Sequence, residues 1–264
     1  MKFLATTAAI ALAAAATVTS AIAAPKPSIV LVHGAWEQSD VWGHVTPALE
    51  KDGYRVIVVT MPGRPQSPAA PDQVSLDLYR DTILQAIAGE KRPVVLVGHS
   101  FAGFPISAAA EKSPKKIKTL VYLAAYLPKD GQSLLDLGNS DQDSKVGPAL
   151  QVEKDKGIIA IAYNARADLF ASDGPDGLRQ AVPGLIVDEP LGPLVSPIHL
   201  TADKFGTVDK VYVHTTKDKV VSPWLQARMV ADTPVRKELA LQTGHTPFLN
   251  APDDVVKAIE AAAK

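Results

Sequence analysis

The stretch Val94-Val95-Leu96-Val97-Gly98-His99-Ser100-Phe101-Ala102-Gly103 carries the clearest chemical signal in the chain. An apolar strand runs into a small-x-Ser-x-small turn and then directly into an Ala-rich helix. Little side-chain bulk fits at Gly98 and Ala102, because the strand and helix backbones nearly touch there. Such a turn lifts the Ser100 hydroxyl clear of the strand end. It also sets the following N–H groups at a helix N-terminus, where developing negative charge is stabilised. That is an arrangement for nucleophilic attack on a carbonyl. The plain alternative is a serine N-cap after a strand, and the glycine that often closes this motif is here Ala102.

A serine hydroxyl is a poor nucleophile at neutral pH. It needs a base, and the base needs an acid to orient it. Of six histidines, His245 lies in Gln242-Thr243-Gly244-His245-Thr246-Pro247, a loop between the last strand and the last helix. From there an imidazole can reach across the top of a sheet. His33 and His99 flank glycines at strand ends, where turn roles fit. His44 falls on a helix, His199 in an irregular stretch and His214 inside a strand. For the acid, Asp218 stands just beyond the penultimate strand, one helix and one strand before His245. Its neighbours Lys217 and Lys219 also allow a surface ion-pair reading, and Asp130 and Asp209 compete with it. Ser100, Asp218 and His245 follow one another in the chain order Ser…Asp…His. Donors for an oxyanion are the backbone N–H groups of Ala35, in Val32-His33-Gly34-Ala35-Trp36, and of Phe101.

These residues need a scaffold. Six runs rich in Val, Ile, Leu and Tyr recur at Ser28–His33, Tyr54–Thr60, Pro93–His99, Ile117–Ala125, Lys210–Thr215 and Arg236–Leu241. The best are near-continuous apolar blocks, as strands covered on both faces are. Helical patterns fall between them at Val41–Lys51, Asp72–Ala88, Phe101–Lys112, Trp224–Ala231 and Asp253–Ala263, several with Gly or Pro at their ends. The alternation predicts an α/β fold: a mainly parallel sheet of about six strands with helices on both faces. From Pro128 to about Asp203 the alternation breaks, and Pro and Gly punctuate short helical pieces such as Leu150–Ala165 and Gly177–Ala181. The apolar content there is too high for a linker. A helical cap at 128–203 over the strand ends is expected, with 24–127 and 204–264 forming the core.

At the N-terminus, Lys2 precedes an Ala-rich apolar run from Leu4 to about Ala16 and an Ala21-Ile22-Ala23 pattern, which predicts a signal peptide over 1–23 and an exported, periplasmic or secreted protein. Ala is weakly apolar and the run is short of a bilayer span. No later stretch reaches spanning length. The 264 residues include no cysteine, which excludes disulfides, thiolate metal sites and a cysteine nucleophile. With 27 basic against 28 acidic residues, the chain lacks the basic excess of a nucleic-acid binder. An apolar fraction of 47% supports a full core.

Taken together, these motifs resemble the α/β-hydrolase superfamily across the whole chain that follows the leader. His33-Gly34-Ala35-Trp36 with Trp42, the Ser100 elbow, Leu120–Ala125, Asp218 and His245 resemble a smaller group within it. That group holds plant methyl-ester esterases, hydroxynitrile lyases and bacterial carboxylesterases of the pyrethroid-hydrolysing kind. The resemblance implies a lidded sheet and no cofactor or metal. Lyases of the group carry a lysine after the triad histidine and a threonine in the oxyanion loop; Thr246 and Gly34 stand there, which is the esterase pattern. The expectation is a carboxylesterase acting on small to medium apolar esters, with Trp36 and Phe104 contributing to the substrate pocket. A lyase or C–C hydrolase on the same triad, or a small-ligand-binding protein without turnover, are the alternatives.

Overall fold

Strands of four to seven residues alternate with helices through the first and last parts of the chain. The computed structural model describes residues 25–264, so the expected leader at 1–23 lies outside the described residues. In chain order the strands are β1 (Ile29–Val32), β2 (Val56–Val59), β3 (Val94–His99), β4 (Ile117–Leu123), β5 (Leu150–Glu153), β6 (Ile158–Ile161), β7 (Glu189–Pro190), β8 (Asp209–Thr215) and β9 (Lys237–Leu241). Six form one sheet in the order β2-β1-β3-β4-β8-β9, with every neighbouring pair parallel. All six strand C-termini therefore open on one edge, and loops at that edge meet.

Both faces of this sheet are buried, as its unbroken apolar strands require. Side chains alternate across the pleat. Ile29, Leu31, Val95, Val97, Val121 and Val211 point to one side, under α1 (Val45–Lys51) and the closing helix Pro252–Ala263. Val30, Val32, Leu96, Leu120, Tyr122 and Tyr212 point to the other, under α2 (Leu76–Ala86) and α3 (Gly103–Lys112). Local chemistry sets the helix starts. The Ser75 hydroxyl accepts the Leu78 N–H, and this cap begins α2 after a separate 3-10 turn at Pro71–Gln73. The helix is thus shorter than the Asp72–Ala88 expected. Val41–Lys51 divides the same way, into a 3-10 turn at Ser39–Trp42 and α1.

Residues 128–203 form α4 (Leu134–Ser140), the antiparallel sheet β5-β6-β7, α5 (Tyr163–Phe170), α6 (Asp176–Leu185) and α7 (Leu191–Val195). This corrects the expectation of a purely helical segment. Leu150–Ala165, read as one helix, is a hairpin followed by the start of α5. The hairpin turns on Gly157 at φ 66°, a left-handed conformation that favours glycine. Val152, Ile158, Ile159 and Ile161 are β-branched and suit a strand. Beyond the insertion come α8 (Pro223–Asp232), α9 (Pro247–Asn250) and α10 (Pro252–Ala263). The last strands and helices return the chain to the sheet.

The tightest packing lies where β3 turns into α3. A Cβ built on Gly98 would sit 2.8 Å from Ile106 Cδ1 and 3.0 Å from the Ala102 carbonyl oxygen. One built on Gly103 would sit 1.8 Å from the carbonyl oxygen of Tyr126. Ala102 itself is accommodated in the core. Gly98 meets the Ala102 main chain, where the motif places the close approach, and Gly103 is a second obligatory glycine, set against the Tyr126 carbonyl. Gly103→Ala is expected to lose about 3 kcal/mol of stability or more, since backbone rather than a movable side chain blocks the methyl. Gly89→Ala, whose Cβ meets nothing within 4 Å, serves as the neutral control. Urea denaturation of both variants checks this, and a Gly103→Ala midpoint equal to the wild type's would refute it.

Candidate active site

Ser100 sits at the C-terminal end of β3 with φ 54°, a left-handed backbone uncommon for any residue but glycine. The turn is held from below, where the Tyr126 N–H donates to the Ser100 carbonyl at 3.0 Å. His245 comes from the loop after β9 and Asp218 from the loop after β8. Pairing continues past these adjacent strands: Thr216 N–H donates to the Leu241 carbonyl at 3.0 Å and Lys217 N–H to the Thr243 carbonyl at 2.9 Å. The two loops thereby run side by side, and the sequence positions 218 and 245 become neighbours.

The three side chains form one hydrogen-bonded line. His245 Nδ1 lies 2.8 Å from Asp218 Oδ2, and His245 Nε2 lies 2.9 Å from Ser100 Oγ. A carboxylate can only accept, so His245 carries its hydrogen on Nδ1 and presents a bare Nε2 to the serine hydroxyl. Asp218 is itself fixed: Thr215 Oγ1, Val220 N–H and Val221 N–H all donate to it at 2.8–3.0 Å. Gln226 on α8 braces that loop by bonding the Thr215 main chain and the Val221 carbonyl. The competing carboxylates lie elsewhere. Asp130 is exposed and paired with His199, and Asp209 holds Thr119 and Arg236 at the opposite end of β8.

The end of β1 presses on the serine. A Cβ on Gly34 would lie 2.9 Å from Ser100 Cβ, so glycine alone lets the two segments meet. The following amides are sorted by two buried carboxylates. Glu37 Oε2 accepts the Gly34 N–H at 2.7 Å, and Glu189 Oε2, from the insertion, accepts the Trp36 N–H at 2.9 Å. Between them, the Ala35 N–H meets no acceptor among the described residues. Phe101 stands at the start of the run into α3, where helical amides have no partner within the helix. Trp36, at φ 61°, is gripped by the insertion through its indole as well, which donates to the Ile159 carbonyl at 2.9 Å. Phe104 is fully buried beneath Phe101 and beside Tyr126.

This fold and this site have counterparts. A model of the alpha/beta hydrolase family matches residues 29–258. The chain belongs to the alpha/beta hydrolase family. A chloroplastic protein of Arabidopsis thaliana with a methylesterase designation is 28% identical over 249 residues, 87% of this chain. The chain spans 54% of the length of that relative. Methyl jasmonate esterase 1 of Vitis vinifera is 26% identical over 86% of this chain and 92% of its own length. Among solved structures, a pyrethroid hydrolase from Sphingobium faniae superposes with a TM-score of 0.80 over 90% of this chain and 97% of its own, at 22% identity, which establishes a shared fold.

Several residues that build the site of this alpha/beta hydrolase gave no signal in the sequence. Glu189 joins Arg64 in a fully buried ion pair and also accepts from Tyr79 Oη at 2.9 Å. Arg64 Nε donates to the Glu37 carbonyl at 2.7 Å, so one cluster ties α2, the loop after β1 and the insertion. Glu37 and His99 form a second buried pair at 2.9 Å. Only a buried carboxylate predicted from sequence could have flagged them, and acidic residues in loops are normally read as solvated. Phe170 and Asp173 of the insertion hold the base loop, through the Thr246 hydroxyl and the Gly244 N–H. Among the described residues no group of three or more His, Cys, Asp or Glu is arranged to hold a metal ion. Nor, among those residues, is any helix long and apolar enough to cross a membrane.

Two outcomes follow from this electrostatics. Burial, reinforced by the Arg64 charge, lowers the pKa of His33 to about 4. Its hydrogen bonds suit the neutral ring, Nε2 accepting the Met61 N–H and Nδ1 facing the Gly34 carbonyl. The unfolded chain takes up this proton near the ordinary value of about 6.5 and the folded one only near 4. Stability contributed by neutral His33 is therefore complete above about pH 6.5 and falls by about 3 kcal/mol on acidification to pH 4. His33→Gln should flatten that part of the stability–pH curve, and an unchanged slope would refute the assignment. Separately, Arg64→Met leaves the Glu189 carboxylate buried without its cation and should cost about 3–5 kcal/mol. Adding Glu189→Gln should recover part of the loss, because its amide oxygen can still accept the Trp36 N–H while its NH2 donates to Tyr79 Oη. Guanidinium denaturation checks both, and a cost below about 1 kcal/mol for the single variant would contradict it.

Proposed function

We propose that this protein is a serine hydrolase that cleaves small to medium, apolar carboxylic esters through an acyl-enzyme. The observation that carries this reading is the unbroken line Asp218–His245–Ser100 beside the unpaired Ala35 amide. Relatives named as esterases support it. In this mechanism Ser100 Oγ attacks the acyl carbon as its proton passes to His245 Nε2, and Asp218 stabilises the imidazolium. The Ala35 and Phe101 N–H groups receive the oxyanion. Collapse expels the alcohol, which takes the proton from His245. Water, deprotonated by the same nitrogen, then attacks the acyl carbon and releases the carboxylic acid with Ser100 restored.

The preference for apolar esters follows from the surroundings. Phe170 packs edge-on against both His245 and Trp36, with ring centroids 5.9 and 6.3 Å apart, and brings the insertion over the serine. Ser100 is only 4% exposed, so 128–203 acts as a cap that limits access and excludes water. The lyase alternative is disfavoured: the residue after His245 is Thr246, whose hydroxyl is bonded to the Phe170 carbonyl, and no ammonium group replaces it. Export is part of the same proposal and rests on the leader pattern at 1–23.

An organophosphonate is expected to label Ser100 stoichiometrically and to abolish hydrolysis of p-nitrophenyl esters, with activity falling from acetate towards palmitate. Asp218→Asn preserves shape but favours the wrong tautomer of His245, and by analogy with serine proteases should lower turnover by about 10⁴. Labelling at another serine with loss of activity, or near-normal turnover in Asp218→Asn, would overturn the triad.

A further inference from the structure

Beneath the triad lies a second acid–histidine pair that the steps above do not use. His99 is fully buried, and each of its ring nitrogens faces an oxygen that accepts hydrogen bonds. Glu37 Oε2 lies 2.9 Å from Nδ1, and the main-chain carbonyl oxygen of His245 lies 2.7 Å from Nε2. A carbonyl has no hydrogen to give, so His99 must keep a proton on Nε2. Were Nδ1 then bare, its lone pair would face a carboxylate. A second proton must therefore lie on the Glu37–His99 hydrogen bond. The same Glu37 oxygen also accepts the Gly34 N–H at 2.7 Å.

We propose that Glu37 and His99 are positioning residues for ester hydrolysis, a proton-bearing bridge that holds the oxyanion loop and the base loop in one register. The proposal rests on the reading of Ser100, His245 and Asp218 as the triad. One end of the bridge grips the amide before Ala35, and the other grips the carbonyl of the base itself. The rings reinforce it: His99 packs on His245 with centroids 4.7 Å apart and meets Phe248 edge-on at 4.8 Å. The protonation also agrees with the surroundings. Burial alone would strip His99 of its charge, but the Glu37 carboxylate and the His245 carbonyl outweigh it and raise its pKa. Burial likewise pushes Glu37 up, and the charge and hydrogen bond of His99 bring it below the ordinary carboxylate value.

No neutral residue can take the place of Glu37. A glutamine that turns its oxygen toward Gly34 and His99 brings no charge to keep the second proton on the ring. It also puts its NH2 where Glu37 Oε1 stands, a buried position with no partner among the described residues. That oxygen belongs to a residue lining a cavity of about 90 Å3, whose other walls include Phe170, Val182, Ile186 and Leu249. A glutamine turned the other way points N–H at N–H and orphans Gly34. Either way one of the three bonds is lost, and with it the register of Ala35 or of His245.

The test uses the whole enzyme, with p-nitrophenyl acetate as substrate and Ser100→Ala as reference. Glu37→Gln and His99→Gln are expected to lower kcat roughly 10- to 100-fold with little change in KM, the loss of a hydrogen bond to a charged group. Labelling of Ser100 by an organophosphonate should slow in parallel in enzyme that remains folded. Nitrogen-15 histidine NMR of the wild type at pH 8 should show a low-field proton on the Glu37–His99 bond in addition to His99 Nε2–H, both absent in His99→Gln. Activity retained in Ser100→Ala would sink the triad reading and this proposal with it. An inactive Ser100→Ala beside normal kcat in Glu37→Gln, or a raised KM with kcat preserved, would overturn the positioning role alone. Should neither glutamine variant fold, a wild-type spectrum without the bridge proton overturns the proposal and one with it supports it.

Discussion

The approach of three backbone segments around Ser100 sets the terms for everything else at the site. The end of β1, the turn from β3 into α3 and the segment at Tyr126 meet within van der Waals distance, and Gly34, Gly98 and Gly103 are the places where a methyl would not fit. A serine held at φ 54° is costly by itself and persists because its neighbours over-determine it. The result is a hydroxyl presented at a fixed point above a parallel sheet. Its partners can then be supplied by loops from adjacent strands, because every strand of the sheet ends on the same edge.

Electrostatics at this edge is handled with buried carboxylates. Asp218, Glu37 and Glu189 are each almost inaccessible to solvent, and each accepts several hydrogen bonds from main chain and side chain. Burying a charge is unfavourable unless it is paired and bonded, which makes such groups poor general stabilisers but stringent specifiers of geometry. Glu37 and Glu189 take the amides on either side of Ala35, whose own amide meets no acceptor among the described residues. Because Glu189 belongs to the insertion, the loop after β1 is tied directly to residues 128–203. The insertion holds Trp36 at three points and the base loop at Gly244 and Thr246.

Much of this was legible in the chain itself. Unbroken Val, Ile and Leu runs specify strands covered on both faces, and a strand–serine–helix junction has few uses besides presenting a hydroxyl. Chain order placed Asp218 and His245 on neighbouring loops, since a parallel sheet aligns the ends of consecutive strands. The sequence did not reveal that residues 150–161 pair as a hairpin, because short apolar pieces punctuated by glycine satisfy either period. It also did not reveal the second close approach at Gly103, since that depends on where the Tyr126 carbonyl comes to lie.

What the residues determined alone was the set of parts: a serine at a strand–helix junction, a histidine and an aspartate on later loops, and a parallel sheet to carry them. These are encoded locally, in turn chemistry and hydrophobic period, and need no knowledge of distant contacts. Tertiary structure decided which acid joins His245, which amide stays free and which carboxylates are buried. Those choices depend on contacts between residues 27 to 153 positions apart, such as Asp218 with His245, Glu37 with His99 and Trp36 with Glu189. Burial turns such a loop glutamate from a solvated charge into a hydrogen-bond acceptor of fixed position, and burial is a property of the packed chain rather than of any segment of it.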